Sequence, residues 1–293
     1  MVQRGWARVG PMGKTREFLD GRVCVVTGAT AGIGREVARE LALMRATVVL
    51  GCRDEARGQE ALQDIVEDSC NDQVSMLPLD LASRASIRTF AAELQERFGQ
   101  VHVLINNAAV WMDRRQESPD GVEMTWATNV LGPFLLTNLL VGRLKESAPA
   151  RVINVASKVA RGLDLGDPEF KKRTFDGVAA YAQSKQALRM LTWGWDARHE
   201  GSRVTFNAVH PGMVNTEITR HSGGLLGAMA RPFFRVFGRT PAQGADTIVW
   251  LASADENERT SGNFWVDRKI KTCPYRDEAA IDRLWTLCEE STR

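Results

Sequence analysis

A run of β-branched residues passes directly into a glycine-rich turn in the stretch Val23-Cys24-Val25-Val26-Thr27-Gly28-Ala29-Thr30-Ala31-Gly32-Ile33-Gly34. Its first part is typical of a strand that is buried on both faces, as in a parallel sheet. The glycines allow a sharp turn and a close approach to a pyrophosphate. The N-terminus of the helix that follows offers free N–H groups and a positive dipole end.

This order of strand, turn and helix predicts a dinucleotide-binding loop, although the spacing is Gly-x3-Gly-x-Gly rather than Gly-x-Gly-x-x-Gly. The alternative is a tight turn that holds no nucleotide. The candidate cofactor-binding residues of the loop are Gly28, Thr30, Ala31, Gly32, Ile33 and Gly34.

Strand-like and helix-like stretches alternate along the rest of the chain. Strands are predicted at 22–27, 47–50, 74–79, 101–105, 151–156, 204–209 and 264–266. Such alternation indicates a parallel sheet with right-handed crossovers and ligands at the carboxyl ends of its strands. The predicted fold class is therefore α/β: a single Rossmann-type, doubly wound parallel sheet of about seven strands with helices on both faces.

Composition narrows the classes of function. The net charge of +2 gives no sign of a nucleic-acid partner. The five cysteines include no Cys-x-x-Cys pair and the four histidines no His-Glu-x-x-His, which argues against a disulfide framework and against a metal site. No apolar run approaches the roughly 18 residues of a transmembrane helix. We expect a cytoplasmic protein, with mitochondrial targeting by the basic N-terminus as the alternative.

The end of the second strand, Gly51-Cys52-Arg53, bears on which dinucleotide binds. A carboxylate there would bind the ribose 2′-hydroxyl of NAD, whereas an arginine suits the 2′-phosphate of NADP. Arg53, with Arg35 as a second source of charge, therefore predicts NADP(H); the alternative is a solvated surface arginine. Asp80-Leu81 follows the third strand as a candidate adenine contact, or as a plain aspartate at the start of a helix.

Tyr181 and Lys185 lie four residues apart in Ala180-Tyr181-Ala182-Gln183-Ser184-Lys185. On a helix this spacing puts both side chains on one face. An ammonium beside a phenol stabilises the phenolate, so we expect Lys185 to lower the tyrosine pKa from its usual value near ~10 toward the range of a general acid/base. Taken alone, the pattern also fits a structural helix with one aromatic residue and one solvated lysine.

These features resemble the short-chain dehydrogenase/reductase family over residues 20–270, once further motifs are added in chain order. The added motifs are Asn106-Asn107-Ala108-Ala109, Asn129, Ser157 and Pro211-Gly212. Features similar to the retinol-dehydrogenase-like branch are Gly51-Cys52-Arg53-Asp54, His210-Pro211-Gly212, Ser261-Gly262-Asn263-Phe264 and the long gap from Ser157 to Tyr181. Gln243-Gly244-Ala245-Asp246 and Arg268-Lys269 resemble the sub-branch of dehydrogenase/reductase member 12.

The resemblance implies a role for each matching residue. Tyr181 is the general acid in carbonyl reduction and the base in alcohol oxidation, Lys185 binds the nicotinamide ribose, and Ser157 binds the substrate oxygen. Asn129 interrupts its helix and positions a water that links Lys185 to solvent. Asn107 braces the fourth strand near the cofactor, and Pro211, Gly212 and Thr216 line the nicotinamide side. The further implied cofactor-binding residues are Ala108, Ala109 and Val214.

Two positions depart from the family pattern. Ala109 replaces the glycine of Asn-Asn-Ala-Gly, which adds one methyl group beside the cofactor site. Ala156-Ser157 replaces a pair of serines, and because the aligned position is the second, Ser157 keeps the role.

The segment 216–239 interleaves apolar residues with arginines and is the main candidate for contact with substrate. We interpret it as an apolar lid over a lipophilic substrate. The alternatives are an amphipathic helix packed on its own domain or on a partner subunit, and a helix that rests on a membrane surface. Trp111 and Met112 either add to the same pocket or only pack.

The predicted function is an NADP(H)-dependent oxidoreductase that interconverts a lipophilic ketone or aldehyde and an alcohol. The alternative is a non-catalytic NADP(H)-binding module; an epimerase or dehydratase is a third, weaker reading. The resemblance also implies a homo-oligomer, dimer or tetramer. The predicted organisation is a flexible basic arm at 1–20, the Rossmann-fold catalytic domain at 21–270, and a tail with a short helix at 271–293.

Overall fold

The computed structural model describes residues 18–213 and 239–293. Within them, eight strands form one sheet, and helices connect most of the strands. The strands are β1 (Val23–Thr27), β2 (Thr47–Cys52), β3 (Val74–Pro78), β4 (Val103–Asn106), β5 (Ala150–Val155), β6 (Val204–His210), β7 (Asn263–Val266) and β8 (Lys269–Lys271).

The helices of this part of the chain alternate with the strands. They are α1 (Gly32–Leu43), α2 (Glu55–Ser69), α3 (Arg84–Arg97), α4 (Met124–Glu146), α5 (Gly177–Arg198), α6 (Pro241–Ser253) and α7 (Glu278–Thr292), with a 3-10 turn at Asp255–Asn257. Helix α4 contains a π-helical segment, Ala127–Leu131, between its first turn and its main α-helical part.

The sheet has the strand order β3-β2-β1-β4-β5-β6-β7-β8, and the first seven strands in this order are parallel. Helices α1, α2 and α6 pack together on one face, and α3, α4, α5 and α7 cover the other. The strand order reverses between β1 and β4, which is where ligands bind in such sheets. The predicted α/β fold class is confirmed.

The eighth strand was not predicted. Strand β8 pairs antiparallel with β7 through a two-residue turn at Asp267 and Arg268, both with positive φ. Its sequence, Lys269-Ile270-Lys271, is short and exposed at all three positions. A short, charged strand is a common device at a sheet edge, and it lacks the apolar signal from which strands are predicted.

Three helices begin with a side-chain cap at their N-terminus. The Asp54 carboxylate accepts a hydrogen bond from the backbone of Arg57 at the start of α2, and Ser83 does the same at α3. Thr240 and Gln243 form a reciprocal capping box ahead of α6. These local interactions satisfy N–H groups that a helix N-terminus leaves without partners.

Helix α4 corrects one expectation. By length and composition it is apolar enough to cross a membrane, whereas the sequence analysis predicts no apolar run of that length. However, 78% of its most apolar window is buried inside the fold, because the helix lies on the sheet between its neighbours α3 and α5. A helix that is apolar nearly all round is expected at such a central position.

Helix α7 belongs to the core rather than to a loose tail. It packs on α5, and its Trp285 meets Phe134 edge-on with ring centroids 4.9 Å apart. Arg84 and Arg88 of α3 donate to the backbone oxygens of Ser291 and Thr292 at its last turn. The predicted division at 20 and 270 stays a prediction, since residues 1–17 lie outside the described part.

Candidate active site

Tyr181 and Lys185 lie one turn apart on α5, with the Lys185 ammonium 5.6 Å from the centroid of the Tyr181 ring. Asp176 caps the helix by accepting from the backbone N–H groups of Val178 and Ala179. Lys185 is buried, and its Nζ donates to the Val155 carbonyl at the end of β5, 2.9 Å away. The helix therefore presents both side chains to the carboxyl end of the sheet.

The net shift of the Tyr181 pKa is upward, opposite to the lowering expected from Lys185. Burial of the Tyr181 hydroxyl raises its pKa to about 12, and the hydrogen bond with Ser157 acts in the opposite direction without overcoming it. Burial also lowers the pKa of Lys185 to about 8. Because Lys185 is neutral in the pH range where Tyr181 would ionise, it supplies no charge to stabilise the phenolate there. At neutral pH the pair is a protonated phenol beside an ammonium.

Ser157 lies just beyond the last residue of β5, and its side chain hydrogen-bonds with the Tyr181 hydroxyl. Its Oγ also accepts from the backbone N–H of Val159, 3.2 Å away. Ser157 and Tyr181 are thus brought together as the family resemblance implies, although they lie on different elements.

Asn129 lies within the π-helical segment of α4 and is fully buried. Its Oδ1 accepts from the Val110 N–H at 2.8 Å, and its Nδ2 donates to the Val110 carbonyl and to Ser184 Oγ. Ser184 in turn donates to the Tyr181 carbonyl, 2.8 Å away. The predicted interruption of the helix is confirmed, while the predicted water link to Lys185 stays a prediction.

Trp111 covers one side of the site. Its ring stacks on that of Tyr181 with centroids 5.1 Å apart and an interplanar angle of 19°. A Cβ at Gly177 would lie 2.1 Å from the Met112 carbonyl, so the start of α5 and the loop after β4 are in tight contact. Both residues therefore pack against α5, and Trp111 also forms part of the site's surface.

The glycine-rich loop, residues 28–34, connects β1 with α1 and fits a bound pyrophosphate. Ala31, the N-cap residue of α1, offers no side-chain hydrogen bond, and the first turn contains no acidic residue. Gly32 has φ +59°. The helix N-terminus therefore keeps its donors and positive dipole end for an anion. Thr30 and Ala31 are partly exposed there, whereas the Ile33 side chain is in the core, which leaves its backbone for a ligand.

The end of β4 is tied to this loop. Asn107 Nδ2 donates to the carbonyls of Thr27 and Gly28, at 2.9 and 3.2 Å, and a Cβ at Gly28 would lie 2.9 Å from Ala108. Thr27 Oγ1 accepts from the backbone N–H groups of Asn107 and Ala108. The segment 107–111 thus joins the glycine-rich loop to the Trp111–Tyr181 stack, with the half-buried Ala109 in its middle.

The two arginines expected to bind a 2′-phosphate near the end of β2, Arg53 and Arg35, have different surroundings. Arg53 is exposed and has no ion pair within the described residues, whereas Arg35 pairs with Asp64. Cys52 is buried, and the Asp54 carboxylate is engaged as the cap of α2. Of the two predicted arginines, Arg53 alone keeps its charge unpaired at this position.

Asp80 and Leu81 have structural partners already. Asp80 Oδ1 accepts from the N–H of Ala82, 2.9 Å away, which is the local role of an aspartate that precedes a helix. Leu81 is buried, and a Cβ at Gly132 of α4 would lie 2.6 Å from its carbonyl. Neither contact assigns an adenine-binding role, which stays a prediction.

Pro211 and Gly212 follow β6 directly. Pro211 is buried, and Gly212 has φ +90°, with the Arg239 side chain over its Cα. The preceding residue, His210, is buried, and its Nδ1 accepts from the N–H of Lys158. Val214, Thr216 and most of the predicted lid at 216–239 lie outside the described residues.

Three residues at the site were not assigned roles from the sequence. Thr27 joins β1 to the end of β4, and Ser184 links Asn129 to the Tyr181 backbone. Arg189 donates to the Ser157 carbonyl. Thr27 and Ser184 adjoin the motifs, and Arg189 follows Lys185 by one helical turn. Their closeness to the motifs could therefore have marked all three as candidate site residues. Their contacts could not be predicted, because the partners are distant in sequence.

Known proteins share this arrangement of fold and motifs. A family model described as short chain dehydrogenase matches residues 22–223. Retinol dehydrogenase 13 of Mus musculus is 40% identical over 280 residues, which cover 93% of this chain and 84% of that protein. Retinol dehydrogenase 12 of Homo sapiens is 41% identical over 285 residues, covering 96% and 89% respectively. The solved Pseudomonas aeruginosa RhlG/NADP active-site complex matches with a TM-score of 0.67 and 28% identity, over 84% of this chain and 94% of that one.

The similarity to the retinol dehydrogenases extends over nearly the whole chain and confirms the resemblance to their branch, while the narrower resemblance to dehydrogenase/reductase member 12 stays a prediction. The residues that carry the family motifs meet at the carboxyl edge of one parallel sheet. This chain therefore belongs to the short-chain dehydrogenase/reductase family, whose members use NAD or NADP, and is an oxidoreductase that acts on CH–OH groups.

Proposed function

We propose that this chain reduces the carbonyl group of a lipophilic aldehyde or ketone with NADPH, with Tyr181 as the proton donor. The observation that carries the proposal is the hydrogen-bonded pair of Ser157 and Tyr181 beside the buried Lys185, at the strand ends that adjoin the glycine-rich loop. Bound NADPH would supply the hydride for the carbonyl carbon.

The protein's own part in this reaction is to bind the carbonyl oxygen and protonate it. Because the pKa of Tyr181 is raised to about 12, its hydroxyl carries a proton at neutral pH and can donate it to the substrate oxygen. Ser157 hydrogen-bonds with the oxygen of Tyr181 and so stabilises the phenolate that remains. Lys185 is charged below pH about 8, so its ammonium favours the same phenolate during turnover at neutral pH.

This protonation state favours reduction over oxidation at neutral pH. Oxidation of an alcohol requires Tyr181 to begin as a phenolate, and the raised pKa makes that form rare. We therefore expect the alcohol-oxidising activity to rise with pH over a wider range than the carbonyl-reducing activity.

A lipophilic substrate is supported by the surroundings of the site. Val159, Val178 and Met213 are large apolar side chains that are exposed, and each lies within a few residues of a predicted site residue. Trp111 adds an aromatic face beside Tyr181. Exposed apolar side chains beside a site suit a lipophilic ligand, and the related proteins are named as retinol dehydrogenases.

The choice of NADPH over NADH is supported by Arg53. It is exposed at the end of β2, its charge is unpaired within the described residues, and no carboxylate occupies the position that binds a ribose 2′-hydroxyl. The related RhlG structure is a complex with NADP. Residence in the cytoplasm and assembly into a homo-oligomer remain further proposals.

The test follows nicotinamide absorbance with NADPH or NADH against aldehydes and ketones of increasing chain length. We expect turnover with NADPH, kcat/KM that rises with chain length, and an NADPH preference that Arg53→Ala reduces while leaving NADH turnover unchanged. A preference for NADH would overturn the role of Arg53. NADPH binding without turnover in either direction would favour the non-catalytic module instead.

A further inference from the structure

A second buried cation lies on the catalytic helix. Arg189 follows Lys185 by one turn and Tyr181 by two, so all three side chains share one face of α5. Arg189 is only 5% exposed. Although burial lowers the pKa of its guanidinium, an arginine remains charged in a protein.

The partners of Arg189 are unusual for a buried charge. Its Nη2 donates to the Ser157 carbonyl, its Nη1 lies 3.8 Å from the Cys273 sulfur, and its guanidinium stacks 3.6 Å over the ring of Phe264. No carboxylate pairs with it within residues 18–213 and 239–293, and its buried Nε has no hydrogen-bond partner there. A buried cation without a carboxylate is costly, so its position calls for an explanation beyond packing.

The Ser157 carbonyl needs a donor from outside the sheet. The ladder between β5 and β6 ends at Val155, and the Ala156 N–H still donates to the Val209 carbonyl, but Ser157 lies beyond these contacts. Arg189 is the side chain that donates to its carbonyl.

The two cations of α5 hold neighbouring carbonyls on one strand end. Lys185 donates to the Val155 carbonyl and Arg189 to that of Ser157. The helix that carries Tyr181 therefore also fixes the backbone of the residue to which Tyr181 is hydrogen-bonded.

We propose that Arg189 is a positioning residue for the reaction: its bond to the Ser157 carbonyl sets the place of the Ser157 hydroxyl relative to Tyr181. The proposal rests on the proposed function for its effect on turnover, but its geometric part is independent of any substrate. Arg189 acts through Ser157 and does not itself contact the reacting atoms.

The matched control is Arg151, a second buried arginine. It is 7% exposed and donates to the Leu251 carbonyl at 3.1 Å, but it lies in β5 near the opposite end of the sheet, with Glu258 at 3.9 Å. Arg189→Met and Arg151→Met each remove a buried guanidinium and its bond to a carbonyl. Only the first affects Ser157.

A spectroscopic readout tests the geometry without turnover. The chain contains two tyrosines, so protein labelled with ¹³C at tyrosine Cζ gives two signals, which Tyr275→Phe assigns. We expect Arg189→Met to move the Tyr181 signal in the same direction as Ser157→Ala, and Arg151→Met to leave it in place. The proposal would be overturned if the Tyr181 signal of Arg189→Met stayed at the wild-type position. It would also be overturned if Ser157→Ala did not move that signal.

Turnover provides the second readout. We expect Arg189→Met to lower kcat at least ten-fold with little change in the KM for NADPH, and Arg189→Lys, which keeps the charge, to recover part of the loss. An equal loss of kcat in Arg151→Met would show a general effect of removing a buried arginine and contradict the proposal. If Arg189→Met does not fold, the position of the Tyr181 signal in Arg189→Lys is compared with its position in Ser157→Ala. If the wild type turns over no carbonyl, the proposed function fails while the spectrum still decides the role of Arg189.

Discussion

Tyr181 and Lys185 show what spacing can and cannot predict about individual residues. Four positions of separation placed both on one face of α5, as expected. The predicted lowering of the Tyr181 pKa was wrong. The shift is set by the burial of the Tyr181 hydroxyl, which depends on Trp111, Ser157 and the strand ends, and these come from distant parts of the sequence. The sequence identifies the pair, but only the fold determines the surroundings that set its protonation state.

His210 should make the protein less stable in mild acid. Burial and the positive charges of Lys158, Arg189 and Arg239 lower its pKa from 6.5 to about 4. Between these pH values the unfolded chain binds a proton that the folded protein does not, so the free energy of unfolding falls as the pH falls. The difference amounts to about 3 kcal/mol across the window.

The measurement is urea denaturation at pH 7 and pH 4.5 of the wild type and His210→Asn, whose side-chain oxygen can still accept from the Lys158 N–H. We expect the wild type to lose about 2–3 kcal/mol more than the variant on acidification. Equal losses in the two proteins would show that His210 is not the group responsible.

At the scale of elements, local signals predicted most boundaries but not the irregular ones. Caps at Asp54, Ser83 and Thr240 set helix starts from a few adjacent residues. The π-helical segment of α4 was expected only at Asn129, through the family resemblance. It is stabilised by contacts with Val110 and Ser184, which no local pattern contains.

Gly34 and Gly142 form a matched pair of helical glycines. A Cβ at Gly34 of α1 would lie 2.3 Å from the Gly28 carbonyl and 2.4 Å from Asn107 Nδ2, whereas a Cβ at Gly142 of α4 would meet nothing within 4 Å. We expect Gly142→Ala to stabilise the protein by about 0.5–1 kcal/mol, since alanine is the better helix former.

Gly34→Ala should lower the free energy of unfolding by about 1–3 kcal/mol, as expected for overpacking. It should also weaken NADPH binding, because the glycine-rich loop must shift. Urea denaturation and fluorescence titration with NADPH measure the two effects. A Gly34→Ala protein as stable as Gly142→Ala would mean that the close approach of the loop is not required.

At the scale of the whole molecule, the alternation of strands and helices was enough to predict the class of sheet. The sequence predicts a short helix near the C-terminus, but not that its Leu284 and Trp285 complete the core beside Phe134 and Trp195. In the sequence, Phe134 lies 151 residues and Trp195 lies 90 residues before Trp285. The pairing therefore required the assembled fold.

Leu284→Ala tests this contribution of α7 to the core. Leu284 is fully buried, whereas Leu287 of the same helix is only half-buried. Removing the buried side chain should leave a cavity and cost about 2–5 kcal/mol of unfolding free energy, with a clearly smaller loss for Leu287→Ala. Urea denaturation of both variants measures the difference. Similar small losses would show that α7 is a loosely attached tail.

The central claim, that Tyr181 supplies the proton for carbonyl reduction, is tested most directly by comparing Tyr181→Phe with Tyr275→Phe, which together account for both tyrosines of the chain. The measurement is kcat for NADPH oxidation with the best carbonyl substrate, alongside the dissociation constant for NADPH. We predict that Tyr181→Phe lowers kcat by roughly 10²–10⁴-fold while it still binds NADPH, and that Tyr275→Phe keeps most of the activity. A Tyr181→Phe protein that turns over at a rate close to wild type would contradict the account.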